Sequence, residues 1–233
     1  MSSSPDAPGD AAVTTTGVPG TPAVRVDAVV VRRWIAELDR RLRISEDHLT
    51  ELDAAIGDAD HGANMTRGAR AAVAALADHP GEDAGSLIAT VGHTLIRSIG
   101  GASGPLYGTW FSTLGRTLPE EHAAAPAQLA DALLAALEAV QQLGAAEVGD
   151  KTMVDALSPA SLRAVDAATA GADLAGLLRL AVGAAEDGAV ATIPLRARRG
   201  RASYLGARSE GHQDPGATSA VIVLDTLRAA VGA

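Results

Sequence analysis

Three aspartates, Asp53, Asp58 and Asp60, fall within eight residues of the stretch ELDAAIGDADHGANM, residues 51–65, and Gly57 and Gly62 bracket the last two. One carboxylate at a helix end is an ordinary cap or a solvated turn. Three so close together repel unless a cation lies between them, and hard divalent ions prefer several carboxylate oxygens. A calcium-binding EF-hand fails on register. With Gly62 as the turn glycine at loop position six, positions one and twelve would be Gly57 and Gly68, and neither carries a carboxylate. Magnesium with a phosphate ligand fits better, because Mg²⁺ takes few carboxylates and completes its shell with phosphate oxygens and water.

A phosphate partner calls for a backbone that an anion can approach. The stretch IGGASGPLYGTW, residues 99–110, supplies Gly100, Gly101 and Gly104, the hydroxyl of Ser103, and Pro105 in the first turn of an expected helix. The same pattern also suits a tight helix-to-helix connection. It is not a Walker A loop, since Lys151, the only lysine, lies in GDKT without the preceding glycines. Nor does any GxGxxG follow a strand-like run, so a dinucleotide fold is not indicated.

These residues must be held by helices. VVVRRWIAELDRRL, NMTRGARAAVAALA, AQLADALLAALEAVQQL and LAGLLRLAVGAAEDGAV space apolar residues three and four apart and are rich in helix formers. AVIVLDTL is the best strand candidate, but it follows DPGATS, a helix start with Asp214 as cap and Pro215 in the first turn. Twenty-five glycines, many alanines and an aromatic content of 2% suit closely approached helices. The expected fold is an all-α bundle of about eight helices with short connections, forming one domain over residues 24–233. Residues 1–23, dominated by Ser, Pro, Gly, Asp and Thr, read as a disordered tail.

Composition narrows the function. The 233 residues, 47% apolar, suffice for one substantial core. Without cysteine there is no disulfide scaffold and no thiolate metal site. A net charge of −9 argues against broad nucleic-acid binding, though metal ions can still bridge carboxylates to a small phosphorylated ligand. No apolar run approaches the ~18 residues of a membrane span. The polar N-terminus lacks the pattern of a signal peptide, so an unprocessed, cytoplasmic protein is expected.

GDKTMVDALSPA, residues 149–160, and GRASYLGARSEGHQDPGATS, residues 200–219, complete the set. Together with the aspartate and glycine stretches, and in the same order, they resemble the nucleotide-binding L subunit of dihydroxyacetone kinases. The resemblance runs from about Asp27 to Ala233 and implies an eight-helix barrel-like bundle with a nucleotide site at one end. On the matching positions it implies that Asp53, Asp58 and Asp60 hold two Mg²⁺ ions that bridge the phosphates of ADP or ATP. His61, Gly62, Ala63 and Asn64 would line the nucleotide beside them, with His61 as a metal-site or phosphate contact. Ala102 and Ser103 would meet phosphate, while Gly144, Met153, Arg201 and the Asp214, Pro215, Gly216 turn would close around base and ribose.

The resemblance also implies partners. A separate K subunit would hold dihydroxyacetone, since 233 residues leave no room for that half, and it would carry the base for the acceptor hydroxyl. In the phosphotransferase-system form a phosphohistidine M subunit recharges bound ADP. In the ATP-dependent form the nucleotide exchanges, and the acceptor is dihydroxyacetone or another small ketose; related two-part kinases also act on fatty acids. A homodimer is compatible with either form. A non-catalytic nucleotide-state sensor that binds a regulator would share the same site residues. Arg196, Arg198 and Arg199 read as a solvated loop or as a docking surface for an acidic partner. His79 and His122 carry no pattern and are expected at the surface.

Overall fold

The computed structural model describes residues 25–81, 83–119 and 123–232. The expected tail and His122 lie outside them. The chain runs through α1 (Ala28–Ile56), α2 (His61–Ala77), α3 (Ala84–Ser98), α4 (Ser103–Thr117), α5 (Pro126–Gly144), α6 (Val154–Thr169), α7 (Leu174–Ala191) and α8 (Pro215–Gly232). A 3-10 segment, Arg201–Ser209, lies between the last two. The all-α expectation holds, and AVIVLDTL lies inside α8. The one sheet among the described residues is a two-residue antiparallel pair, β1 (Val26–Asp27) with β2 (Ala123–Ala124). Elements that short carry no alternation for a sequence to show.

Aspartates start four of the helices. The carboxylates of Asp27, Asp83, Asp173 and Asp214 accept from the amides of Val30, Ser86, Gly176 and Ala217 at 2.6–2.8 Å, each three residues on. Every such bond satisfies an amide that the helix itself leaves unpaired. Along α1 the buried positions Val31, Trp34, Ile35, Leu38 and Leu42 follow the three-and-four spacing of one helical face.

Each helix packs on its sequence neighbours, and α8 returns to pack on α1, so the eight close into an up-and-down ring. Trp34 Nε1 donates to Val223 O at 3.0 Å across the α1–α8 closure. Trp34, Trp110 and Phe111 meet inside the ring with ring centroids 5.0–6.4 Å apart. Three of the five aromatic residues thus lie where the ring needs bulk, and small residues serve the seams. At the α3–α4 seam a Cβ on Gly85 would lie 2.6 Å from Gly115 O, and one on Gly92 would lie 2.6 Å from Gly108 O. No described helix is long and apolar enough to cross a membrane.

The seam can be tested against an open helical glycine. Gly92→Ala should cost about 1–3 kcal/mol, the usual range for overpacking. Gly183→Ala, where no atom beyond the neighbouring residues and backbone of its own helix lies within 4 Å of the added carbon, should gain up to ~1 kcal/mol from helix propensity. Urea denaturation of the two variants should move the midpoint in opposite directions.

Candidate functional site

Antiparallel alternation puts the connections α1–α2, α3–α4, α5–α6 and α7–α8 at one end of the ring. Residues from all four line a single cavity of about 440 Å³. Its rim contains the four stretches that stood out in the sequence.

Asp53 ends α1 and is buried, and its Oδ2 accepts from the backbone amides of Asp60 at 2.9 Å and His61 at 3.2 Å. One carboxylate oxygen therefore caps the start of α2 and the other remains for a ligand. A Cβ at Gly57 would overlap that second oxygen, Oδ1, so the glycine keeps it open. Between them the chain turns through Ala59 at φ 62°, a left-handed conformation uncommon outside glycine. Asp58 and Asp60 are exposed toward the cavity. One carboxylate oxygen from each of the three aspartates lies within 4.8 Å of the others.

His61 is buried at the first position of α2, with Nε2 2.8 Å from Ser219 Oγ and Nδ1 3.3 Å from Ser103 Oγ. Burial lowers its pKa, against the opposing pull of Asp53 and Asp60. The chain continues from Ser219 Oγ to Tyr107 Oη at 2.6 Å, and Tyr107 Oη donates to Gly216 O at 3.1 Å. Burial pushes the Tyr107 phenol far above its ordinary range, so it stays protonated. This network joins the first turns of α2, α4 and α8.

Of the residues named from sequence, Asp53, Asp58, Asp60, His61, Ala102, Ser103, Gly144, Met153, Arg201, Asp214, Pro215 and Gly216 all line the cavity. Gly62, Ala63 and Asn64 do not. Gly62 is instead a close-packing position, where a Cβ would overlap Glu46 O, and the Asn64 amide oxygen accepts from Arg67. The Arg201 guanidinium pairs with Asp58 at 3.0 Å, on the acidic side of the cavity. The arginine run also divides. Arg199 lines the cavity and donates to the buried Asp150 carboxylate at 3.2 Å, and Arg198 stands 3.9 Å from the same group. His79 is half-buried rather than at the surface, and its Nδ1 accepts from the Gly81 amide at 3.0 Å.

Sequence reasoning missed the apolar wall formed by Leu106, Val140, Leu143 and Ala146, together with Tyr107, Lys151 and Thr152. Leu143 and Val140 sit on the last turns of α5 inside an unremarkable helical repeat, with no polar signal to mark them.

The ring and its mouth define the class of protein: an up-and-down helical barrel whose open end combines an acidic triad, four helix N-termini and an apolar wall. The chain belongs to the DAK2 domain family, whose profile matches residues 55–229. It is 40% identical over 196 residues to the ADP-binding subunit DhaL of the PEP-dependent dihydroxyacetone kinase of Escherichia coli (strain K12), covering 83% of this chain and 92% of that one. It is 36% identical over 204 residues to the L-erythrulose 1-kinase of Mycolicibacterium smegmatis, covering 84% of this chain and 35% of that protein. The crystal structure of the dihydroxyacetone kinase from C. freundii in complex with AMP-PNP and Mg²⁺ superposes with a TM-score of 0.64 at 26% identity, over 97% of this chain and 38% of that one.

Asp214 gives the site a pH signature. Burial pushes its carboxyl up to about 7, partly offset by the Ala217 amide; the Asp155 charge adds to the rise and Lys151 opposes it. A folded-state value above the unfolded one means that the native state binds more protons between pH ~4 and ~7, so stability falls as pH rises through that window and levels off above it. Asp214→Asn keeps an acceptor for Ala217 and removes the titration. Between pH 5 and pH 7 its melting temperature should fall less, or rise more, than that of the unaltered protein.

Proposed function

We propose that this chain is the nucleotide-binding, phosphoryl-transferring subunit of a dihydroxyacetone kinase. It would work with a separate substrate-binding K subunit and with an M subunit that recharges ADP in place. The convergence of four separate connections on one cavity, with three carboxylates at one side and an apolar wall at the other, carries the reading. Relatives that bear the ADP-binding subunit name over nearly their full length support it.

The donor set fits a hard divalent cation. Three carboxylates meet, Asp53 Oδ1 is kept clear by Gly57, and the chain has no cysteine thiolate. Asp53, Asp58 and Asp60 would hold two Mg²⁺ ions, which when bound neutralise phosphate charge. The chain's own residues do the rest. Leu106, Val140, Leu143, Ala146 and Met153 give an apolar wall of the kind that receives a base, with Gly144 beside them. Ala102 and Ser103 present the unpaired amides of the α4 start and one hydroxyl to phosphate. Arg201, already against Asp58, stands where negative charge collects.

In the transfer, the bond between the terminal phosphorus and the ADP oxygen breaks, and a bond to the acceptor hydroxyl oxygen forms. The hydroxyl proton goes to a base on the partner. His61 does not serve as that base, since both of its ring nitrogens face serine hydroxyls. A second reading, the nucleotide-binding part of a kinase for another small ketose, has support from the likeness to L-erythrulose 1-kinase.

Asp58→Asn should weaken Mg·ADP binding by at least about tenfold, the loss of a charge-assisted contact, and abolish transfer while the far-ultraviolet circular dichroism stays the same. Calorimetry showing unaltered ADP affinity in Mg²⁺ would count against the metal assignment. If the nucleotide is a retained cofactor, acid extraction of protein purified without added nucleotide should release near-stoichiometric ADP. An empty site that turns over free ATP with a K subunit alone would favour the exchanging form.

A further inference from the structure

Lys151 is the only lysine in the chain, and it is buried at 1% exposure in the wall of the cavity. A lone lysine beside a nucleotide pocket suggests a phosphate ligand, but its protons are committed elsewhere. Nζ donates to Thr192 O at 2.7 Å, to His212 O, and to Ile193 O at 3.4 Å. An ammonium has three donors, so none remains for a ligand. The backbone is bent to achieve this, with Lys151 at φ 63°.

The three carbonyls are not scattered. Thr192 and Ile193 begin the α7–α8 connection and His212 ends it, so one cation grips both roots of a flap. The neck is closed again by Gly211 N donating to Ile193 O at 2.8 Å and by Ala197 N donating to Ser209 Oγ at 2.9 Å. Beside Lys151, Asp150 O accepts from Arg198 N at 3.0 Å, and the Asp150 carboxylate accepts from Arg199. The post that bears the lysine is itself rigid, for the two oxygens of Asp155 take the amides of Gly149 at 2.6 Å and Thr152 at 2.8 Å. From the far root, Asp214 N donates to Thr192 Oγ1 at 3.0 Å and starts α8. The flap carries Arg199, Gly200, Arg201 and Ala202 over the cavity.

We propose that Lys151 is a positioning residue, the latch that fixes both roots of the flap and thereby sets how long a nucleotide stays in the cavity. It acts through the flap and never touches the ligand. The dependence on nucleotide rests on the function proposed above; the latch itself does not.

The flap supplies its own probe, since trypsin cuts after arginine and Arg196, Arg198, Arg199, Arg201 and Arg208 all lie in it. Lys151→Met keeps the hydrocarbon and removes the donors. Without nucleotide, cleavage at these five bonds should quicken at least tenfold, while cleavage after Arg70 in α2 and Arg163 in α6 follows only the change in melting temperature. Dissociation of a fluorescent ADP analogue in Mg²⁺ should quicken at least tenfold, with its association rate changed less than threefold. Flap and helix cleavage rising together would overturn the latch, as would unaltered flap cleavage. Unaltered ADP release with a loosened flap would overturn the residence claim alone, and failure of the unaltered protein to bind the analogue would instead sink the nucleotide reading. Should the methionine variant not fold, labelling the unaltered protein with ¹⁵N-lysine gives a single Nζ signal. Its hydrogens should exchange with water slowly enough to be observed at pH 7. Exchange as fast as that of a solvent-exposed lysine would refute the latch.

Discussion

Closure of an even-numbered, up-and-down ring is the constraint on which the rest depends. Once α8 packs back on α1 through the Trp34 to Val223 bond, every odd-to-even connection must lie at the same end. Four stretches far apart in the chain thereby become the four sides of one mouth, and the bonds from His61 to Ser103 and Ser219 then tie three of them together. The same alternation aims the starts of α2, α4, α6 and α8 at that mouth, each with unpaired amides and a partial positive charge. A concentration of carboxylates is tolerable there because the helix ends supply opposite charge. Asp53 and Asp214 show this directly, each holding the amides at the start of a helix.

The site divides its electrostatic labour by depth. Asp58 and Asp60 stand exposed at the surface of the mouth. Asp214, buried, holds its carboxyl near neutrality only because one amide and Lys151 offset the loss of water. Between these depths the chain from Ser103 through His61 and Ser219 to Tyr107 is uncharged at neutral pH, and it fixes three helix starts relative to one another by hydroxyl and imidazole geometry. Neutral links suit that place, since a further charge beside three aspartates would compete with a cation or strengthen the repulsion.

Much of this was legible in the sequence, and the physical reasons differ by element. The long amphipathic runs of α1, α5 and α7 announce themselves by spacing. The Asp214 cap with Pro215 in the first turn settled a helix against a strand-like composition. The aspartate triad was visible because like charges at that density need an explanation. By contrast, α3 and α6 hide behind glycine, serine and Pro159. The pairing of Arg201 with Asp58 depends on how a flap folds over, which no local pattern encodes. Gly62 shows the converse difficulty: a glycine inside a chemically suggestive motif serves helix packing against Glu46, and a motif alone does not separate the two uses. The apolar wall was invisible because a leucine lining a pocket and a leucine lining a core share one helical repeat.

The four connections are also unequal, and the inequality follows the chemistry each would serve. Residues 57–60 and 99–102 are tight turns between adjacent helices, and the tertiary network pins both at His61 and Ser103. Short, doubly anchored turns suit groups that must keep fixed positions about phosphate charge, where small displacements are costly to transfer. Residues 145–153 are longer, and 192–214 longer still, with a 3-10 segment broken at Gly206, where φ is 59°. A connection of that length inside a compact bundle is uncommon unless it has a function of its own. Here it covers the cavity from the outside and is held by a few hydrogen bonds at its roots more than by core burial, its buried side chains being Thr192, Ala197, Ser209 and Asp214. Such a segment opens locally at far lower cost than the ring unfolds. The rigid pair of turns can therefore hold phosphate geometry constant while the long one governs entry and release, and the strength of its root contacts, rather than the stability of the fold, sets the rate at which a ligand leaves.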